Sequence, residues 1–379
     1  MDARPDVKDV PSDGEKPEPI DPHGWTDEEK LAWQFEPGER HLTLPARIGD
    51  DRFVTAGWSG TVYAVNADGN VAWTFEADDK IDGAAAVAGS TVYLATYGGT
   101  LHAIGVDDGA EQWSFDVGGV VDASPTVAPD GTIFVATQNK EIVAVDSDGS
   151  EAGRLELPDY PTTSISLVKR SDATELFVGT KDGKVNCLTA ELDEQQMQSA
   201  GVKSFPTGEM TPAEQGGVVA GNAKGALYFV NAECTVEWEK FPSWADVMGG
   251  AWMTDGSIAL SIVDRKIYWF DLSGNKVQSK SPPVRATLIN APLALEGGGL
   301  LGAANSLVHI DKDGNQTTEL RHELSAGPVP IPGTKGIVAT TEHGTLVRYD
   351  RSDQTNVAES FWAQHHANAQ RTGAVDATK

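Results

Sequence analysis

Two stretches decide the fold: GWSGTVYAVNADGNVAWTF at residues 57–75 and YGGTLHAIGVDDGAEQWSF at residues 97–115. Each reads as a glycine turn, an alternating strand, a second turn rich in Asp, Asn and Gly, and a strand carrying Trp and Phe. The period-two alternation of Thr61-Val62-Tyr63-Ala64-Val65 is that of a strand. The turn residues tolerate the positive φ that tight hairpins need.

Weaker copies follow outward from these: QNKEIVAVDSDGSEAGRL (138–155), KDGKVNCLTAELDEQQ (181–196), NAKGALYFVNAECTVEWEKF (222–241), VDRKIYWFDLSGNKVQSK (263–280), NSLVHIDKDGNQTTEL (305–320) and EHGTLVRYDRSD (342–353). Tyr63 therefore has equivalents at His102, Val143, Asn186, Tyr228, Tyr268, Val308 and Val347. Their spacing of about 40 residues is the length of one four-stranded propeller blade. Eight copies predict an all-β chain forming a single eight-bladed β-propeller. In the second copy the innermost strand is expected at 83–87. Ala32-Trp33-Gln34-Phe35 repeats Ala72-Trp73-Thr74-Phe75 with no inner strands before it, and the eighth copy has inner strands (327–331, 336–340, 345–350) but no outer one. The N-terminal strand should complete the last blade and remove an open edge. The expected organisation is a flexible acidic tail at 1–30, the propeller at 31–352 and a C-terminal extension at 353–379.

The net charge is −27 and the isoelectric point about 4.5. Such a surface repels nucleic-acid phosphates and anionic lipid headgroups, so nucleic acid is not an expected partner. No run of about 18 apolar residues is present, the least a spanning helix needs. Residues 1–30 are rich in Asp, Glu and Pro and bury too little to order themselves. They read as the tether of a secreted or lipid-anchored protein whose signal has been removed. Cys187 and Cys234 fall in neighbouring repeats at non-equivalent positions. Two free thiols are expected rather than a bridge, and two cysteines do not by themselves settle the compartment.

The G-x-L/V-Y-A-x-D-x-x-G-x-x-x-W pattern resembles the pyrroloquinoline-quinone-like propeller repeats of the quinoprotein alcohol dehydrogenase-like superfamily, over about residues 32–350. FWAQHHANAQRTG (361–373) resembles a tryptophan-to-Thr-Gly segment attached to such propellers, with Asn368 at its aspartate position. One branch of the superfamily holds quinone-dependent dehydrogenases, with a vicinal Cys-Cys pair, a calcium-binding Glu/Asn/Asp set and insertions over the quinone. Another holds non-catalytic propellers, such as the lipoprotein of the outer-membrane β-barrel assembly machinery. Without adjacent cysteines or long insertions, the chain is similar in size and blade count to the second. The resemblance implies an extracytoplasmic binding or scaffold propeller, periplasmic or outer-membrane-anchored, monomeric, with a protein partner in envelope assembly. A quinone-dependent dehydrogenase and a sensor or carbohydrate-binding propeller are the alternatives. Neither pyrroloquinoline quinone nor calcium is expected as a cofactor.

No G-x-S-x-G, H-E-x-x-H or phosphate-cradling motif is present, so no catalytic set can be nominated. The D-x-D-G turns at 146–149 and 311–314 lack a full calcium donor set and read as hairpin turns. His365 and His366 lack partners at metal-ligand spacing and read as part of a packed tail. Trp33, Trp73, Trp113 and Trp238 recur at one outer-strand position and read as packing between blades. Propellers carry ligands on their loop faces, which selects Trp58, Tyr97, Gln138, Lys181, Asn222, Asp264, Arg265, Asn305, Glu342 and His343 in the loops between second and third strands. The lead-ins to the inner strands add Asp82, Asp122 and Asp246, either an acidic funnel or ordinary hydrated turns.

Overall fold

The structure is a computed structural model. It describes residues 31–376, apart from 50, 171–172, 214, 243, 245, 254–255, 263–265, 272, 279–291, 296–298, 304–306, 312–315, 321–323, 332–335 and 351–373. The repeats fold as eight antiparallel four-stranded sheets, arranged as the blades of a propeller. Blade 1 runs from the innermost strand Ala46–Ile48 through Arg52–Ala56 and Thr61–Asn66 to the outermost, Val71–Glu76. Blades 2 to 7 follow at 86–116, 126–156, 166–201, 206–240, 247–278 and 293–320. Among the described residues the sole helical element is a 3₁₀ turn at Glu194–Gln196, and no helix is long and apolar enough to cross a membrane.

Blade 8 joins the two ends of the chain. Leu324–Pro330, Gly336–Thr341 and Leu346–Asp350 supply three strands, and Leu31–Phe35 supplies the fourth. Phe35 faces Leu346 and Trp33 faces Arg348 in antiparallel register. The expected closure is the observed one. The C-terminal extension contributes Ala374–Asp376, which pairs in parallel with the inner strand Ser166–Lys169 of blade 4 and makes that sheet five-stranded. The motif at 361–373, including His365 and His366, lies outside the described residues.

The core is distributed as eight wedges, one in each seam between neighbouring blades. The recurrent tryptophans explain how a seam is closed. The indole Nε1 of Trp33 donates to the Ala67 carbonyl of the next blade at 2.6 Å. Trp73 does the same to Val106 at 2.8 Å, and Trp113 to Ser147 at 2.9 Å. Each ring lies against a glycine of the same turn at positive φ: Gly69, Gly109 and Gly149, with Trp238 on Gly274. A Cβ on any of them would come within 2.7–2.9 Å of the indole. Glycine is therefore needed twice, for the turn and for the ring. The innermost strand of blade 2 is shorter than expected, Ala86–Ala88. Blades converge at the axis, and Ala84 N bonds Ser124 Oγ of blade 3 at 2.9 Å instead of its own sheet.

Cys187 and Cys234 form a disulfide, which corrects the expectation of free thiols. Their non-equivalence is what lets them meet. Cys187 sits on the third strand of blade 4 facing the seam, and Cys234 in the outer turn of blade 5, with Cα atoms 5.9 Å apart.

Deleting residues 1–28 should leave the melting temperature nearly unchanged, whereas deleting 1–38 should open blade 8 and cause aggregation. Equal melting of both truncations would rule out closure by Trp33–Phe35. The paired change Cys187→Ser and Cys234→Ser frees a loop of sequence separation 47. By chain entropy that should cost up to about 4 kcal/mol in denaturant unfolding, and an unchanged midpoint would show the bridge to be dispensable.

Candidate functional site

Topology sorts the loops onto two faces. Turns between second and third strands share one face with the lead-ins to inner strands; turns between third and fourth strands lie on the other. In blades 2 and 8 the turn of the first face is closed by a threonine at the end of the second strand or just past it. Thr96 Oγ1 accepts from Thr100 N at 3.1 Å, and Thr341 Oγ1 accepts from His343 N and Thr345 N at 3.3 Å. Turn and lead-in are then tied together by backbone: Tyr97 N to Lys80 O, Gln138 N to Val120 O, and Lys181 N to Tyr160 O, all within 2.8–2.9 Å.

Large exposed hydrophobics are concentrated on that face. Trp58, Tyr97, Tyr160, Phe205, Phe241 and Trp244 all lie there, with Trp244 88% exposed. The remaining two, Val71 and Val236, are on outermost strands. Both open those strands directly after a third-to-fourth-strand turn, so among the described residues the opposite face shows exposed valines but no exposed aromatic ring. An aromatic arc thus spans blades 1 to 6, and such patches mark interaction surfaces. Three of its members carry cations over the ring. Lys80 Nζ lies 3.7 Å from the Tyr97 ring centroid and 5.5 Å from that of Trp58. At Tyr160 the roles are reversed: its ring takes Lys140 Nζ at 4.5 Å and Lys181 Nζ at 6.0 Å, and Lys140 is paired with Asp159 at 3.1 Å. Trp58 Nε1 also donates to Asp82 Oδ1 at 2.9 Å, and the His41 ring packs 5.6 Å from it.

Two buried rings, His102 and Tyr228, bond carboxylates in the blades beneath. His102 is held between Asp78 Oδ1 at 3.0 Å and Glu111 Oε1 at 2.7 Å. Burial works against the Asp78 carboxylate, but hydrogen bonds from Thr100 and His102 keep it below its ordinary pKa. At blade 5, Tyr228 Oη donates to Glu239 Oε1 at 2.9 Å; burial and that carboxylate push the phenol well up. Among the described residues no group of side chains is arranged to hold a metal ion. In the D-x-D-G turn, the Asp148 carboxylate accepts from Ser150 N and Oγ.

With this geometry in view, residues 58–281, more than half of the chain, match the family described as outer membrane protein assembly factor BamB. This chain belongs to that family. The BamB of Moraxella catarrhalis superposes with a TM-score of 0.51 at 13% identity, over 82% of this chain and 84% of that one. The designed protein Ika8 gives 0.66 at 15% identity, over 85% and 99%. Sqt1 of Saccharomyces cerevisiae gives 0.66 at 11%, over 82% and 94%. At these identities the superpositions speak for the fold alone. No curated protein sequence matches the chain.

In this BamB-family propeller the rim residues selected from sequence divide into groups. Trp58, Tyr97, Lys181, Glu342 and His343 are exposed on the face, and Gln138 is half-buried there. Asp122 is bonded by Gln138 Nε2 at 3.0 Å and Asp82 by Trp58, while Asp246 is exposed. Asn222 is a correction: it is 1% exposed, and its amide serves the turn. Its Oδ1 accepts from Lys224 N and Ala226 N at 3.0 Å, and Nδ2 donates to Val202 O at 2.7 Å. Asp264, Arg265 and Asn305 lie outside the described residues. Sequence reading missed His41, Lys80, Tyr160, Phe205, Phe241 and Trp244. The loop equivalence of Tyr160 to Lys80 could have found two of them.

Burial lowers the His41 pKa against the pull of Asp82. The folded state then takes up this proton less readily than the unfolded chain. The stabilisation is present above the unfolded pKa of about 6.5 and is lost as pH falls through the lowered folded value. The melting-temperature advantage of the wild type over His41→Gln should therefore shrink between about pH 7.5 and pH 5.5. An advantage independent of pH would exclude His41 as the titrating group.

Proposed function

We propose that this chain is a non-catalytic, extracytoplasmic binding propeller that docks a protein partner on its aromatic loop face, in envelope or outer-membrane protein assembly. The one-sided aromatic arc from Trp58 to Trp244 carries the reading. Aromatic side chains are the groups most enriched at the centres of interfaces, and a braced ring presents them without a large ordering cost. The net charge of −27 favours a basic partner surface and fast encounter at low salt. The disulfide supports an oxidising compartment. Family membership supports the assembly role, since the family's description is that of an outer-membrane protein assembly factor.

The test is affinity capture of the partner from native envelope, followed by binding measurements with face-specific variants. Trp58→Ala and Trp244→Ala should each weaken capture by about 1–3 kcal/mol without lowering the melting temperature by a comparable amount. Charge reversal at Asp82 and Asp122 should slow association and flatten its salt dependence. Asp68→Lys and Asp148→Lys, on the opposite face, should leave capture intact. Loss of the partner in these controls, with the rim variants unaffected, would put the interface on the other face.

A further inference from the structure

The seam between blades 4 and 5, like those after blades 3, 6 and 7, has no docking tryptophan, and it carries a cavity. In blades 1, 2 and 5 the residue four beyond the glycine of the second-to-third-strand turn faces the docking tryptophan. Ala64 faces Trp73, Ala103 faces Trp113, and Phe229 faces Trp238. In blade 4 the same position is Cys187, and the residue it faces is Gln198. The receiving turn of blade 5 is closed like those of blades 1 and 3. Asn66 N bonds Asn70 O and Gly69 N bonds Asn66 O; Asp146 N bonds Ser150 O and Gly149 N bonds Asp146 O; Asn231 N bonds Thr235 O and Cys234 N bonds Asn231 O. Cys234 therefore takes the glycine's place, at φ 57°, and Ala232 supplies the carbonyl that corresponds to those of Ala67 and Ser147.

Compared with the seam between blades 1 and 2, three parts of the docking are thus exchanged. Glutamine replaces the indole, cysteine replaces the glycine, and Glu175 takes the place of Arg52, whose Nη1 donates to the Val106 carbonyl at 2.9 Å in the seam between blades 1 and 2. The disulfide takes over the mechanical link. It does not fill the space. A cavity of about 340 Å³ remains, lined by Phe177, Gln198, Gln196, Glu175, Ala232 and the disulfide itself. That volume lies at the lower end of small-molecule pockets, roughly 300–1,000 Å³. Gln195, Gln196 and Gln198 are exposed, so the cavity opens to the outside of the ring.

We propose that this cavity is a receptor for a flat aromatic group bearing one N–H donor, an indole or its close relatives, supplied from outside the chain. The other seams display the chemistry. In three of them an indole bridges the blades with its N–H on the turn carbonyl, and the same carbonyl stands here without a tryptophan in its own seam. The visiting ring does not lie where Trp73 lies on Gly109, because a Cβ there would come within 2.7 Å of the ring. It lies against the sulfurs of the disulfide, a favourable surface for an aromatic face. The site is remote from the aromatic loop face and stands independently of the function proposed there.

The test titrates indole, and indene as its isostere without the N–H, into the oxidised full chain, followed by calorimetry and by amide chemical shifts. Indole should bind saturably with a Kd on the order of 1 mM or tighter. Shifts should be centred on Gln196, Gln198, Ala232 and Cys234. Indene should bind roughly three- to tenfold more weakly, for want of the hydrogen bond to the carbonyl. Gln198→Trp, an exposed outer-strand position, should place the chain's own indole in the cavity and reduce indole binding at least about tenfold. Thr189→Trp, at the cavity wall, provides a second block should the first variant misfold. Absence of saturable binding, shifts centred elsewhere, equal affinity for indene, or undiminished binding by a folded blocked variant would each overturn the proposal.

Discussion

Four seams of the ring are closed by an indole set down on a bare α-carbon. A tryptophan from the outer strand of one blade places its N–H on a carbonyl of the next blade's turn, and its face on the glycine two or three residues further on. The bond satisfies a buried donor. The ring removes apolar surface from water, and the glycine permits the approach. Because donor and acceptor sit on successive blades, the contact fixes both spacing and rotation between them. In those seams the apolar wedge then fills around a geometry that is already set.

This division of labour explains where function can reside. Seam contacts occupy the outer strands and the turns between third and fourth strands. The other loop face is left with short turns held by Thr, Asn and backbone bonds, and its large side chains are free to be presented outward. Lysines over Tyr97 and Tyr160 restrict those rings without burying them. The carboxylates beside them, Asp82 and Asp159, keep the surface acidic while holding its donors.

Much of the fold was legible because the repeat is physical. Alternation, turn glycines and the periodic tryptophan all record the same blade, and the orphan Trp33–Phe35 copy disclosed the closure. The disulfide was misread because cysteine positions were compared within the repeat. A bond between blades joins different positions by necessity, as the tryptophan and its glycine already do. Asn222 was misread because a polar residue beside a turn looks the same whether its amide faces water or caps the backbone. The loop aromatics were only partly legible. Trp58 and Tyr97 lie in well-marked turns, whereas Phe205, Phe241 and Trp244 lie in linkers where the repeat carries no pattern to align.

Closure by the N-terminal strand has a kinetic side. Arg348 Nη1 and Trp33 Nε1 both donate to the Ala67 carbonyl, one from 281 positions away along the chain. During synthesis the first strand emerges with nothing to pair with, and its partner Leu346–Asp350 is among the last to appear. Seven blades can assemble as a growing arc by contacts between sequence neighbours. The eighth must bring the two ends together against a chain entropy on the order of 5 kcal/mol for a loop of roughly 300 residues. Completion is therefore a single late event, and until it occurs the molecule is an unfinished arc with a bare strand at each end.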